Sequence, residues 1–480
     1  MFDEFLPRNH IPPYLPSLQP IWVKVISQPL PKGRIKHGSA LYDIRQLNWF
    51  TERNHAFHYV HKRLNGVELP SAPFHYPYAL YSPGHAELDL DKAAMSEPVI
   101  INRDKSKSFL LVDSGGFQVG KDSWEVGKSK ADDTELIKTV LQWQEVVSNM
   151  AAILELPRWK EGVSFDEALD WTNFSLGVYT EQGSGKVPFL NILHGKSWDE
   201  IIEWYEKTKW FDSWGLCFGG RLAKDFHLLC KLIFYIYRKG ELERVRHIHL
   251  LGNGTSQSAI AIYTLSEALR RRIGVDIVFT QDAASEAQDA GKYKELYLEN
   301  KRPSNSAHAH YRSYHVNRQK INGDPSYTHG DAFYPHAVSP YLAPPDGIRF
   351  GDYICEGFGG YNLDGISDAI TYANNIYMRL QTISHGLELE RRSRRLRYNS
   401  LKASKDPEFA KVYRRITGGQ PVWDGNALVP GLVDVTTAFW SLFVDEFEED
   451  RDFNGDVKQL EKHKTPLTEV AGYWKDDGEF

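Results

Sequence analysis

Through the middle of the chain, short apolar runs alternate with stretches in which apolar residues return every three or four positions. The runs are PYALYS (77–82), FLLVD ending at Asp113, AAILE ending at Glu155, and VPFLNILH ending at His194. They continue with WGLCFGG ending at Gly220, HIHLLGNG ending at Gly254 and VDIVFTQD ending at Asp282. Runs of this length read as buried strands. Between them, Leu136, Val140, Trp143 and Val147 recur at helical spacing and predict a helix over about 133–150. Further helices are expected over about 198–209, 224–239 and 256–272. Strand and helix in regular alternation are the mark of βα units around a parallel sheet. The pattern predicts an α/β fold, a (β/α)8 TIM-type barrel.

The flanks lack this rhythm. Residues 1–75 are rich in Pro and aromatic side chains without a period, and read as an N-terminal extension packed on the barrel. The barrel is expected over 76–293 together with part of 351–396. Residues 294–350 carry Pro, Gly, Asn, His and Tyr and read as a loop-rich insertion. A helix resumes at 363 and runs to about 396, ending in the basic run RRSRRLR; residues 397–480 form a mixed, partly helical C-terminal appendage with an acidic tail.

Composition narrows the function classes. The formal net charge is −6, so any contact with nucleic acid must come from local basic patches. Aromatic residues make up 13% of the chain, which suits both a core and the stacking of flat ligands. Cys217, Cys230 and Cys355 are far apart in sequence, so neither a disulfide framework nor a CxxC metal motif is visible. That usage fits a reducing compartment. The N-terminus lacks a basic start followed by an apolar run, and no stretch is apolar for long enough to span a bilayer. A soluble, cytoplasmic protein without membrane partners is expected.

Candidate chemistry collects where the strands end, which in a parallel barrel is one mouth. The ends carry Asp113, Glu155, His194, Gly219-Gly220, Gly252-Asn253-Gly254 and Asp282. One acid after a strand is commonly a helix N-cap; several polar ends on one rim imply a site. Asp113 opens DSGGFQVG, where Gly115 and Gly116 permit a tight turn and close approach of a ligand to backbone. Phe117 then projects as a stacking surface, or else as a core residue. Asp282 is followed by Ala283, Ala284 and Ser285, which leave room around its carboxylate. Asp276 is at the opposite end of the same strand.

The run LLVDSGGFQVG resembles the signature of the tRNA-guanine transglycosylases that handle queuine and archaeosine precursors. AAILELP, FLNILHG, WGLCFGGR, HIHLLGNG and VDIVFTQDAAS resemble further segments of that family in the same order, from about 75 to 293. The resemblance implies a base-exchange enzyme, with Asp282 as nucleophile on C1′ of the target nucleotide and Asp113 as general acid and base. It implies that Phe117 stacks on the base, that Ser114, Gly116 and Gln118 help hold it, and that Glu155 accepts from the N1 and 2-amino donors of guanine. Gly219 and Gly220 would line the pocket. Such chemistry follows the double-displacement logic of retaining glycosidases. The target nucleotide must be flipped out or single-stranded.

The chain departs from the family pattern at several points. The CxCxxC zinc ligands are absent: only Cys355 and the downstream His385 stand in that region, and His308, His310, His315, His329 and His336 match no zinc spacing. No metal and no cofactor are therefore expected. His194 stands where bacterial members have Gln, and Arg221 where the family usually has Leu; Arg221 either reads the incoming base or is a surface residue. These departures resemble the DNA-acting, DpdA-like branch of bacteria and phages, which is associated with 7-deazaguanines such as 7-cyano-7-deazaguanine in DNA. The implied partners are DNA, a free guanine or 7-deazaguanine base, and proteins that open a duplex. A tRNA enzyme without the zinc site and a non-catalytic nucleic-acid-binding subunit are the alternatives. Of three basic patches, Arg270–Arg272 falls before its strand, and Arg391, Arg392, Arg394, Arg395 and Arg397 read as a solvated face or a backbone contact. The stretch 301–320 is the best candidate for holding a nucleic-acid backbone, through Lys301, Arg302, Tyr311, Arg312 and Arg318.

Overall fold

The computed structural model describes residues 12–27, 35–37, 40–42, 48–51, 75–224, 226–255, scattered positions over 258–270, 274–291, 295–299, 313–317, 363–391, 394–395 and 428–429. Eight parallel strands form its centre. In chain order they are β1 (Tyr14–Pro16), β2 (Tyr78–Tyr81), β3 (Phe109–Val112), β4 (Met150–Ala152), β5 (Phe189–Leu193), β6 (Gly215–Phe218), β7 (His247–Leu250) and β8 (Val278–Ala283). From β2 to β8 each strand pairs with the next, and β8 pairs with β1 through Tyr14↔Gln281, Leu15↔Asp282 and Pro16↔Ala283. The seam between β1 and β2 is bridged at Ser17↔Leu80, with Leu18 N–H donating to the Leu80 carbonyl at 2.7 Å. The result is the expected (β/α)8 TIM-type barrel.

The strand that completes the ring lies in the segment expected outside it. Tyr14–Pro16 is three residues long and sits among prolines, so it carries no readable period. It is held by its partners instead. Gln281 N–H donates to the Pro13 carbonyl at 2.8 Å, and the Tyr14 hydroxyl donates to buried Glu286 at 2.6 Å. Arg379 Nε donates to the other oxygen of Glu286 at 2.7 Å. That ion pair ties β1 and the helix after β8 (Ser285–Gly291) to the long helix Leu363–Arg391. Large aromatic side chains pack together in this corner. Trp22 and Trp49 lie 5.3 Å apart between ring centroids, and Tyr372 meets both edge-on.

Each βα unit has a local cause. Helix Lys130–Val147 starts at Ser129, whose hydroxyl accepts from Asp132 N–H, and buries Ile137, Val140, Leu141, Trp143 and Val147 on one face. Helix Phe165–Gln182 opens on a reciprocal capping box between Ser164 and Glu167. Helices Trp198–Thr208 and Phe226–Arg238 follow β5 and β6, and described positions from 258 to 270 are helical ahead of β8. Residues 295–299 and 313–317 pair as an antiparallel ribbon within the segment read as an insertion. Among the described residues, no helix is long and apolar enough to cross a membrane.

Candidate functional site

The mouth is organised first by the turn after β3. Gly115 has φ +84, a left-handed conformation that a side chain resists, and a Cβ there would lie 2.6 Å from the Trp124 ring. The turn folds back so that Asp113 Oδ1 accepts from Gly115 N–H at 3.1 Å and from the Ser114 hydroxyl at 3.2 Å. Ser114 Oγ in turn accepts from Gly116 N–H at 3.0 Å. The Ser114 hydroxyl is thus occupied within the turn and orients Asp113. Burial pushes the Asp113 carboxyl up from an ordinary 3.8 to about 6, with the charges of Asp282 and Glu155 adding to the rise and the Gly115 and Ser114 donors opposing it.

The ends of β3 and β4 are strapped together from outside. Gln144 Nε2 donates to the Asp113 carbonyl at 3.3 Å and to the Ala152 carbonyl at 2.8 Å, while its oxygen accepts from the Tyr179 hydroxyl at 2.8 Å. That hydroxyl also accepts from Leu154 N–H at 3.2 Å. Ser175 donates to the Leu154 carbonyl at 2.6 Å. β4 itself stops at Ala152; a further backbone bond, Ile153 N–H to the Leu190 carbonyl at 3.1 Å, and these side chains carry the irregular segment on to Glu155.

Glu155 is 3% exposed and lies over Gly116, where an added Cβ would fall 2.0 Å from its Oε1. Only a glycine allows that approach. The Nε2 atom of His194 is 3.5 Å from the same oxygen, an ion-pair separation too long to count as a hydrogen bond. The His194 ring stands edge-on to Trp204, with centroids 5.2 Å apart, and its Cε1 would be 3.4 Å from a Cβ at Gly219. Gln118 is packed against Gly84, in the loop after β2. Three buried polar atoms here have no hydrogen-bond partner among the described residues: Glu155 Oε2, His194 Nε2 and Gln118 Oε1.

Asp282 comes from β8 itself, paired with Leu15 of β1. Its Oδ1 accepts from Gly252 N–H at 2.9 Å and lies 3.3 Å from His249 Nε2. Gly252 has φ +66, and its loop turns inward after β7. Ala283 packs on Gly254, where an added Cβ would lie 1.9 Å from the Ala283 methyl. Cys217, inside the barrel on β6, reports how the acids converge. Burial raises its thiol well above the ordinary range, and Asp113, Glu155 and Asp282 all add to the rise. Asp276 is exposed at the other end of the strand segment.

Phe117 is 59% exposed, and its ring lies 6.1 Å from that of Trp159, which is 41% exposed. Lys121 Nζ stands 5.9 Å over Trp159. The rim thus offers two open aromatic faces and a cation, of which Phe117 was legible in the sequence and Trp159 was not. Gly219 and Gly220 follow β6, with Gly220 at φ +59 opening the short helix Gly220–Lys224. The backbone of Arg221 is in that helix, and its side chain is outside the described part of the structure. Lys301, Arg302, Tyr311, Arg312 and Arg318 lie outside the described residues, as do Cys355, His308, His310, His329 and His336. Among the described residues, no group of three or more His, Cys, Asp or Glu is arranged to hold a metal ion. His249 and Thr280, which stand behind Asp282, were not singled out by sequence; their signal was only the alternation of polar residues in HIHL and VFTQD. Compared with known protein families and with curated proteins, the chain matches none.

Proposed function

We propose that the protein is a guanine transglycosylase that exchanges guanine in DNA for a 7-deazaguanine base, such as 7-cyano-7-deazaguanine. The observation that carries this reading is the convergence of two carboxylates in different settings with a polar, incompletely satisfied pocket between aromatic and glycine walls. In the first displacement, Oδ2 of Asp282, which accepts nothing from the described residues, attacks C1′ of an extruded nucleotide. The C1′–N9 bond breaks, and the leaving guanine takes a proton from Asp113. In the second, Asp113 accepts the proton from the incoming base, whose nitrogen attacks C1′ and releases Asp282. A carboxyl pushed up to about 6 suits both roles, because near neutrality it exchanges protons readily in either direction.

Glu155 is suited to guanine because a carboxylate accepts from two neighbouring N–H donors at once. His194 Nε2 and Gln118 Oε1 offer further contacts to the base edge, and Phe117 an open face for stacking. The preference for DNA rests on the missing zinc ligands and on the resemblance to the DpdA-like branch. The test is base exchange. Purified protein is given radiolabelled guanine with duplex DNA, single-stranded DNA or bulk tRNA, and Asp282→Ala is the control. Label entering DNA, and lost in the variant, is expected. Label entering tRNA alone would replace the DNA reading with a tRNA one. Incorporation nowhere, with DNA-opening proteins also supplied, would reduce the chain to a nucleic-acid-binding subunit.

A further inference from the structure

Behind Asp282, two strands turn a run of polar side chains into the barrel interior. On β7 these are His247 and His249, and on β8 Thr280 and Asp282, all buried. The Thr280 hydroxyl lies 2.7 Å from His247 Nε2 and 2.8 Å from His249 Nδ1. The other nitrogen of His249, Nε2, is 3.3 Å from Asp282 Oδ1. Burial holds His247 neutral, its pKa pushed down to about 3, with the neighbouring His249 ring contributing.

For a given protonation state, hydrogen-bond capacity fixes the direction of this chain. A hydroxyl has one proton to give, and a neutral imidazole has one donor and one acceptor nitrogen. A bare Nε2 lone pair on His249 facing the carboxylate would be repulsive, so that nitrogen carries the hydrogen. In neutral His249, Nδ1 is then an acceptor and takes the Thr280 proton. Thr280 Oγ1, having spent its proton, accepts from His247 Nε2–H. With both rings neutral this assignment satisfies every contact; with His249 doubly protonated the bonds through Thr280 reverse, and in either case an N–H is aimed at Asp282. Gly252 N–H supplies a second donor to the same oxygen, and Oδ2 accepts nothing from the described residues.

We propose that His249 is a positioning residue for Asp282: together with Gly252 it pins Oδ1, and so presents Oδ2 to the mouth as the attacking oxygen. The inference rests on the reading of Asp282 as nucleophile, but concerns how the carboxylate is held rather than what it attacks. The arrangement is the carboxylate counterpart of a side chain whose orientation is fixed by a hydrogen-bonded partner behind it.

The test uses a reagent that needs neither nucleic acid nor base. A small aryl epoxide alkylates a nucleophilic carboxylate: the oxygen forms a bond to an epoxide carbon, the ring C–O bond breaks, and the alkoxide takes a proton from water. Peptide mass spectrometry then reads the rate of ester formation at Asp282 against that at exposed carboxylates. His249→Phe, which keeps a ring but no donor, is expected to slow labelling about tenfold to a hundredfold, the usual worth of a hydrogen bond to a charged group. His249→Gln, whose amide places an N–H near the imidazole Nε2, is expected to restore most of the rate. A second pair covers failure of the Phe variant to fold: Thr280→Val, which removes the hydroxyl that holds Nδ1 and so the orientation of the His249 ring, should slow labelling, and Thr280→Ser should not. Wild-type rates in His249→Phe or in Thr280→Val would overturn the proposal. So would equal slowing in His249→Phe and His249→Gln, or the absence of Asp282 labelling in the wild type. The expected labelling pattern without base exchange would sink the transglycosylase reading alone, and exchange without the labelling pattern would sink the positioning role alone.

Discussion

Asp113 is a place where function should cost stability, and the cost can be worked out. Its carboxyl rises from an ordinary 3.8 to about 6 in the folded protein, chiefly because of burial. A rise of that size corresponds to about 3 kcal/mol of preference for the neutral form. Because the folded state binds the proton more tightly than the unfolded chain, the penalty is absent below about pH 4 and grows between pH 4 and 6. It is complete above that. Asp113→Asn removes the charge while keeping a side-chain oxygen that can accept from Gly115 N–H and Ser114 Oγ. The variant should therefore be more stable than the wild type at pH 7.5, by up to ~3 kcal/mol, and the gain should vanish near pH 4. Base exchange should be lost at both. Urea unfolding at the two pH values measures the difference directly. Equal or lower stability of Asp113→Asn at pH 7.5 would refute the account of an acid raised by burial, even if activity were lost as expected.

Other consequences follow from the same geometry. Glu155→Gln retains one acceptor and introduces a donor, so binding of free guanine, read by calorimetry, should weaken about tenfold to a hundredfold, from ~1.5–3 kcal/mol per hydrogen bond to a charged group; unchanged affinity would remove Glu155 from the pocket. Gly116→Ala would set a Cβ 2.0 Å from Glu155 Oε1 and should displace that carboxylate, lowering guanine affinity with only a modest loss of melting temperature. Trp159→Ala should weaken binding of single-stranded DNA by ~1–3 kcal/mol in a fluorescence titration, the typical worth of one stacked base; an unaltered titration would mean that the nucleotides pass on another side of the mouth.

The sequence made the barrel legible where local and tertiary preferences agree. The runs at Phe109–Val112, Phe189–Leu193 and Val278–Ala283 are short, largely buried and mostly apolar or β-branched, with Asn191, Gln281 and Asp282 as the exceptions to the apolar pattern, and helices separate them, which is how parallel strands look in a sequence. Asp113, Glu155 and Asp282 could be found because a parallel barrel delivers every strand end to one rim. β1 escaped because three residues between prolines have no periodicity; Leu15 becomes a strand only through its pairing with Asp282 and the Tyr14–Glu286–Arg379 network, whose members are distant in sequence. Ser114 could be placed at the mouth but not given its partner, since the direction of its hydroxyl is a matter of turn geometry. Trp159 was invisible for a related reason: it reaches the rim by packing on Gly120, from a segment after β4 that has no regular structure.

The buried polar atoms left over at the mouth bear on what the pocket is for. An unpaired polar group in a protein interior costs ~1–3 kcal/mol, and most native side chains avoid it. Among the described residues, Glu155 Oε2, His194 Nε2 and Gln118 Oε1 have no hydrogen-bond partner, in the segments that follow β4, β5 and β3, while Gln144 and Tyr179 behind Glu155 each both donate and accept. Polar groups that served only the fold would be expected to close on one another. Instead, Glu155 and His194 stop at 3.5 Å. On the proposed function, a bound base supplies the partners these atoms lack. On that reading the ligand must supply at least one donor to a carboxylate, be flat enough to lie beside Phe117, and be small enough to sit against Gly116 and Gly219. Guanine meets all three requirements, and adenine, whose Watson–Crick edge has an acceptor where guanine has the N1 donor, does not satisfy Glu155 in the same way. Competition between the two bases for the free protein is thus the simplest measure of whether these atoms form a recognition site: guanine should bind at least tenfold tighter, about the 1.4 kcal/mol that one well-made hydrogen bond contributes, and that preference should collapse in Glu155→Gln.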